Sequence, residues 1–93
     1  MNNYITRIEL HYALEQDYQT LHNQMSQSGF SRTIMGDNGV AYMLPTATYS
    51  YQGSANIDDV YNAAANAANT TGKSSWILVS QTSKNQFWLT PAQ

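Results

Sequence analysis

The chain has 93 residues, a net charge of −2, 42% hydrophobic residues and only 11% charged residues. This length supports one domain with a single core and is too short to enclose a deep cavity without help. Because Arg7, Arg32, Lys73 and Lys84 are the only lysines and arginines, a long basic groove for nucleic acid is excluded, and we expect no DNA partner.

The first predicted element is a strand over residues 4–12, where polarity alternates as it does in a strand with one buried face. The polar side presents a cation, a carboxylate and an imidazole within about 14 Å of strand. Arg7, Glu9 and His11 are therefore the first candidate site. The alternative interpretation is a solvated sheet face that carries a cross-strand ion pair.

An apolar stripe then predicts a helix from about Glu15 to Gln27 that packs on the sheet. The stripe consists of Leu14, Tyr18, Leu21 and Met25. His22 lies on the flank of the stripe. Its ordinary pKa near 6.5 suits acid–base catalysis, whereas the alternative is a boundary histidine that makes a structural hydrogen bond.

Two strands, predicted over residues 30–36 and 40–44, follow as a hairpin. The Asn38-Gly39 pair between them predicts a tight type I′ turn, in which both residues have positive φ. Pro45 interrupts the second strand, because proline cannot donate a hydrogen bond to the ladder. The strand is predicted to continue over residues 46–51.

Tyr42, Tyr49 and Tyr51 of this strand are predicted to form an aromatic row of the kind that stacks unpaired RNA bases. The alternative interpretation is structural, because tyrosines favour strands and pack across them.

The second half of the chain predicts a helix capped by Asn56 and ended by Gly72, a strand over residues 76–81 and a short last strand over residues 86–90. The order predicts an α+β fold, a ferredoxin-like β-α-β-β-α-β sandwich with one appended strand, in a single domain over residues 1–93. Its antiparallel sheet has both helices on one face. The open face is expected to meet a partner such as a second copy, in a homodimer.

Several kinds of site are not expected. The chain has no cysteine, which removes disulfides, thiolate zinc sites and cysteine nucleophiles, and Glu9 alone does not make a carboxylate metal site. No metal or cofactor is predicted. The N-terminus has no leader pattern and no run reaches the ~18 apolar residues of a membrane span, so the expected location is cytoplasmic, without a membrane partner.

The hairpin region combines Gly-Phe-Ser-Arg-Thr-Ile at 29–34, Asp-Asn-Gly at 37–39, Leu-Pro at 44–45 and the strand around Tyr49. With these motifs the chain resembles the GhoS family of small bacterial proteins, over residues 4–68. The resemblance implies a ferredoxin-like fold similar to that of a group of CRISPR-associated proteins. It also implies an antitoxin that acts as an endoribonuclease on the single-stranded messenger RNA of a membrane-active toxin.

RNA cleavage without a metal needs a base for the 2′-hydroxyl proton, an acid for the leaving oxygen and a cation at the phosphate. His11 or Glu9 is the candidate base, His22 the acid, and Arg7 or Arg32 the cation. Two other hypotheses compete with this one. A non-catalytic homodimeric or partner-binding module would explain the uncharged polar surface, and a small-molecule sensor would need a pocket at a dimer interface.

Overall fold

The structure is a computed structural model and describes residues 1–92. Its elements are β1 (Asn2–Leu10), α1 (Glu15–Gln27), β2 (Thr33–Met35), β3 (Ala41–Met43), β4 (Thr48–Gly53), α2 (Ile57–Asn69) and β5 (Ser75–Thr82). Gln93, the last residue of the predicted domain, lies outside the described residues. The chain is a small α+β protein with two helices, as the sequence predicts.

The strands form two antiparallel sheets. The larger sheet has the order β4-β1-β5, with β1 hydrogen-bonded to a neighbour on each side, and the smaller one pairs β2 with β3. Ser31, just before β2, forms a bridge with Ser50 of β4 through two backbone hydrogen bonds of 2.9 and 2.7 Å. The start of the hairpin is therefore attached to the β4 edge of the larger sheet.

Both helices cover the same face of the larger sheet. Alternate residues of β1 point toward them, and the core cluster combines these residues with side chains of α1, α2 and β4. Its fully or almost fully buried members include Tyr4, Ile8, Leu10, Leu21, Met25, Tyr49, Val60 and Ala64. Arg7 and Glu9 of β1 are exposed on the opposite face. The predicted alternation is confirmed over residues 4–10, but the strand ends at Leu10, and Tyr12, predicted to be on its buried side, is 99% exposed and has φ 55°.

The ends of both helices follow from local hydrogen bonds. The Asp17 carboxylate accepts a 2.8 Å hydrogen bond from the Leu14 backbone N–H at the start of α1, and the side-chain oxygen of Asn56 accepts one of 2.9 Å from the Asp59 N–H at the start of α2. Gly29 follows α1 with φ 92°, a conformation that glycine adopts freely. Neither helix within residues 1–92 has the length and hydropathy that a membrane crossing requires.

The turn of the β2–β3 hairpin differs from the predicted type I′ geometry. Only Gly39 has positive φ, at 80°, whereas Asn38 does not. The Gly39 N–H donates to the Gly36 carbonyl over 3.0 Å, and the Asn38 side-chain oxygen accepts from the Val40 N–H over 3.0 Å. An ordinary turn over Asp37 and Asn38, followed by one left-handed glycine, therefore reverses the chain.

The predicted strand around the proline is divided into β3 and β4. Between them Ala47 has φ 58°, and its carbonyl accepts a 3.0 Å hydrogen bond from the Ile8 N–H of β1. The chain therefore bends at residues 44–47 and leaves the hairpin to join β1. Because of this bend, β3 does not extend the larger sheet.

The predicted last strand over residues 86–90 does not form. Instead, the Met43 N–H donates to the Thr90 carbonyl over 3.0 Å, and a single bridge joins Tyr42 to Pro91. No residue from 82 to 86 has positive φ, so the chain does not make the tight hairpin that would return it along β5. It leaves β5 and runs to β3 instead.

Two methionines test the position of the core. Met25 of α1 is fully buried at 0% exposure, whereas Met35 of β2 is 64% exposed. We expect Met25→Ala to lower the free energy of unfolding by about 2–5 kcal/mol, because it leaves a cavity under the helices. Met35→Ala should change it by less than about 0.5 kcal/mol. Urea unfolding followed by circular dichroism measures both, and equal losses would contradict the assignment of the core.

Candidate functional site

The face of the three-stranded sheet opposite the helices is called the open face here. The register places its residues in rows across the strands. Asn3 lies between Gln52 and Thr82 at one end, Arg7 lies between Thr48 and Leu78, and Glu9 lies opposite Trp76 at the other end. Successive rows along β1 are about 7 Å apart. One end of the open face is thus neutral and polar, and the other end carries charges and an indole ring.

Arg7 and Glu9 are brought together as the sequence predicts. Both are exposed, and with Trp76, Ile77 and Leu78 they line a shallow depression of about 220 Å³. A guanidinium binds phosphate oxygens through two parallel hydrogen bonds, and a carboxylate accepts protons. The depression therefore combines an anion-binding group with a base on an otherwise apolar floor.

His11 follows the end of β1 and is held by its neighbours. Its Nδ1 lies 3.2 Å from the hydroxyl oxygen of Ser74, and its ring packs edge-on against Trp76 with 4.6 Å between the ring centroids. Its Nε2 is buried and has no hydrogen-bond partner. Since one ring nitrogen is bonded and the other is shielded, Glu9 is the better placed of the two predicted bases.

Trp76 is the functional candidate that sequence reasoning missed. It is 68% exposed, and its neighbour on the same face, Leu78, is 64% exposed. The alternation in residues 76–81 indicates that these two side chains oppose the inward-facing Ile77 and Val79. The position of Trp76 opposite Glu9, however, depends on the pairing and register of β1 and β5, for which the sequence contains no signal.

His22 lies on the other side of the sheet, between α1 and β4. Its Nδ1 is 2.6 Å from the Tyr49 hydroxyl oxygen, and the two residues are 8% and 1% exposed. Burial, assisted by the positive charge of Arg32, lowers the pKa of His22. Burial raises the pKa of Tyr49, against the effect of Arg32. The hydrogen bond therefore joins a protonated Tyr49 hydroxyl to a neutral His22 imidazole.

The sheet separates His22 from Arg7, Glu9 and His11. Tyr49 pairs with Thr6 on the helix side of the sheet, so its partner His22 is on that side too. The structure does not bring the four predicted catalytic residues together. It assigns His22 the structural hydrogen bond that the sequence left as the alternative.

Of the three tyrosines predicted to form one row, Tyr49 and Tyr51 share a face of β4, and Tyr42 is separated from them. Tyr49 and Tyr51 face the helix side, where the Tyr51 ring packs on Phe30 with centroids 5.3 Å apart. Tyr42 lies in the hairpin, and its ring is 5.2 Å from that of Phe87. The bend between β3 and β4 is the reason, because it breaks the alternation on which the predicted row depends. In this arrangement Tyr49 is not accessible to a base.

Arg32 is exposed just before β2, and its charge acts on His22 and Tyr49. It therefore belongs to the helix side and does not lie in the depression that Arg7 lines. Among residues 1–92, no three histidine, aspartate or glutamate side chains cluster closely enough to hold a metal ion.

Comparison with protein-family models and with curated proteins gives no match to this chain. Function is therefore inferred from the geometry of the open face.

The buried His22–Tyr49 pair predicts a pH dependence of stability. Below pH 6.5, the ordinary pKa of histidine, His22 takes up a proton in the unfolded chain. In the folded chain its pKa is lower, so it stays neutral at the same pH. The contribution of His22 is fully present above that pH and is lost as the pH falls toward the folded pKa. We expect the free energy of unfolding to drop between about pH 8 and about pH 5.5, by at most about 1.4 kcal/mol per pH unit.

His22→Gln should remove this part of the dependence, whereas Thr20→Gln, at an exposed position of the same helix, should keep it. Urea unfolding of the three proteins across this pH range provides the measurement. Equal pH profiles for wild type and His22→Gln would show that His22 is not held neutral in the folded protein.

Proposed function

We propose that the chain is a ferredoxin-like, GhoS-like antitoxin that cleaves single-stranded RNA on its open face. The observation that carries the proposal is the exposed group formed by Arg7, Glu9 and Trp76. These side chains supply a phosphate ligand, a base and an aromatic surface for an unpaired base. The resemblance of residues 29–51 to the GhoS family supports the same reaction.

The ferredoxin-like part of the proposal is supported by the strand connections. β4 and β5 are both antiparallel to β1 and lie on its two sides, and α2 connects them across the helix face. The Ser31–Ser50 bridge places the start of the hairpin beside β4. In a split β-α-β arrangement the equivalent strands occupy these positions.

Cleavage proceeds by attack of the ribose 2′-oxygen on the adjacent phosphorus. The Glu9 carboxylate takes the 2′-hydroxyl proton, and the Arg7 guanidinium binds the phosphate oxygens, where negative charge develops. A 2′,3′-cyclic phosphate forms, and the 5′-oxygen leaves with a proton from water. The Trp76 ring stacks on the base beside the cleaved bond. His11 holds the indole in place from the end of β1.

The charge pattern predicts weak binding. In the part of the chain that the structure describes, Arg7 is the only lysine or arginine that lines the depression, so one phosphate is contacted there. Unpaired, flexible RNA fits the shallow depression, because its bases are free to turn outward and stack. A duplex would need contacts from basic side chains to several phosphates at once. This chain has a net charge of −2 and too few lysines and arginines to make them.

The outer edge of β5 supports a second candidate function, a homodimeric interaction module. Within the larger sheet β5 is paired only with β1, and residues 75–82 contain no charged residue or proline that would discourage edge pairing. Trp76 and Leu78 are the exposed apolar groups beside that edge. Antiparallel pairing of this edge with that of a second copy about a two-fold axis would bring Trp76 and Leu78 of the two copies together.

The nuclease proposal predicts that purified protein cleaves a labelled single-stranded RNA and that EDTA does not stop it. Glu9→Gln should lower the cleavage rate by about 10²- to 10⁴-fold, because the 2′-hydroxyl loses its base. Arg7→Ala should also lower it, whereas His22→Gln should change it little in protein that remains folded. Gel electrophoresis of the products gives the rates.

Glu15→Gln is the matched control, because Glu15 is an exposed carboxylate at the start of α1. If wild type, Glu9→Gln and Glu15→Gln leave equal amounts of intact RNA, the nuclease proposal fails. A dimer that Trp76→Ser converts to a monomer in size-exclusion chromatography would then favour the interaction module.

A further inference from the structure

A groove of about 1090 Å³ lies at the Asn3 end of the open face, away from the Arg7 depression. Its floor is formed by β1 and β4, where Asn3, Ser50 and Gln52 point outward. The β2–β3 hairpin forms one wall, and residues 83–87 form the other. This space is called the amide groove here, after the side chains that line it.

The C-terminal part of the chain creates the groove by crossing the sheet. Thr82 ends β5 and pairs with Asn3, whereas the carbonyl of Thr90 already accepts a hydrogen bond from Met43 of β3. Residues 83–89 therefore run from the β5 side of the larger sheet to the hairpin beyond β4. Residues 83–87 of this crossover lie opposite the open face, and the groove is the space between them and the sheet.

The lining of the groove is rich in hydrogen-bonding groups and almost free of net charge. Among residues 1–92, five serine and threonine residues contribute to it, and Lys84 and Asp37 are its only charged residues. Four amide side chains line it, namely Asn3, Gln52, Asn85 and Gln86. Each amide offers donors and an acceptor side by side. Such a surface gives little electrostatic attraction to phosphate groups, whereas a flat uncharged group with alternating donors and acceptors is complementary to it.

Nucleobases are ligands of this kind. Asparagine and glutamine bind base edges through paired hydrogen bonds, and unpaired bases are also held by stacking on aromatic rings. Phe87 lines the groove at the crossover and is 39% exposed, and its ring packs on that of Tyr42, so one supported aromatic ring faces the groove. Lys84 supplies one charge for one phosphate. The volume is slightly above the usual range of about 300–1,000 Å³ for small-molecule sites, which is enough for a base with its sugar.

We propose that the amide groove is a nucleobase-binding site, in which Asn3, Gln52 and Asn85 hydrogen-bond the edge of an unpaired base. Recognition of the base follows from the lining of the groove. That the base belongs to an RNA strand rests on the proposed function. The alternative source, a free nucleoside or nucleotide, has the same chemistry and is distinguished by experiment.

The position of the groove relative to Arg7 fits an RNA source. Asn3 and Arg7 lie on the same face of β1, four residues and therefore about 14 Å apart. An extended strand with one base in the amide groove continues along β1 to the Arg7 guanidinium. Base identity is then read a short distance from the phosphate that reacts, which would give the cleavage a sequence preference.

Binding is tested by fluorescence anisotropy with labelled hexamers of 2′-O-methyl uridine and 2′-O-methyl adenosine. The methyl group blocks the attacking oxygen, so binding is measured without cleavage. We expect at least one of the two hexamers to bind at least tenfold more tightly than an abasic hexamer of equal charge. Unlabelled adenosine, uridine and maltotriose serve as competitors, and the trisaccharide should not compete.

Gln52→Met is the test variant, because it keeps the length of the side chain and removes both hydrogen-bonding groups. Gln81→Met is the matched control, since Gln81 is also an exposed strand glutamine but pairs with Tyr4 and points away from the groove. Gln52→Met should weaken hexamer binding at least tenfold and leave the abasic hexamer unaffected. Gln81→Met should bind both like the wild type.

Three results would overturn the proposal: equal binding of the hexamers and the abasic chain, competition by maltotriose, or equal behaviour of the two methionine variants. Strong competition by adenosine or uridine would support a nucleobase site whose ligand is a free nucleoside. Tight binding of a hexamer without competition by the nucleosides would support a nucleobase site whose ligand is RNA. Chemical-shift changes of the Asn3 and Gln52 side-chain amides in wild-type protein give a readout that needs no variant.

The same proteins, incubated with unmodified RNA, separate this proposal from the nuclease. Base-dependent binding without cleavage would remove the nuclease and keep the groove. Cleavage with the same base preference in wild type and Gln52→Met would remove the groove and keep the nuclease.

Discussion

The central position of β1 is the constraint on which the rest of the structure depends. Its backbone is hydrogen-bonded to β4 on one side and to β5 on the other, so its register orients both neighbours. Its side chains point alternately to two very different environments. Tyr4, Ile8 and Leu10 enter the core, and a shift of one residue would bury Arg7 and Glu9 beneath the helices. Burial of unpaired charges costs enough to exclude that register.

This two-sidedness also determines where chemistry can occur. Every residue paired with the inward positions of β1, including Tyr49 and Ile77, belongs to the helix side. The other residues of the three strands face outward and form the open face. They place amide side chains at one end of it and the charged and indole side chains at the other. A ligand on the open face therefore meets residues from three strands, although each strand contributes only every second side chain.

The His22–Tyr49 pair shows how the helix side accommodates polar groups. Buried hydrogen-bonding groups are costly unless they find partners, and here the hydroxyl and the imidazole satisfy each other across the interface between α1 and β4. The bond between them also restricts how α1 lies on the sheet, because an apolar contact would tolerate sliding whereas a directional hydrogen bond does not. His22 and Tyr49 were both predicted to belong to the functional site, but because they are buried their role is structural.

The sequence by itself determined β1, α1 and the start of α2. Period-two alternation marked β1 and its two faces, the apolar stripe gave α1 its observed bounds, and Asn56 marked the start of α2, since each of these signals involves neighbours only a few residues apart. Tertiary structure alone decided that Trp76 stands beside Glu9, that His22 bonds Tyr49, and that residues 83–89 cross the open face instead of turning back into a last strand over residues 86–90. The physical reason is that register, bends and burial depend on contacts between segments distant in the chain, which local periodicity does not encode.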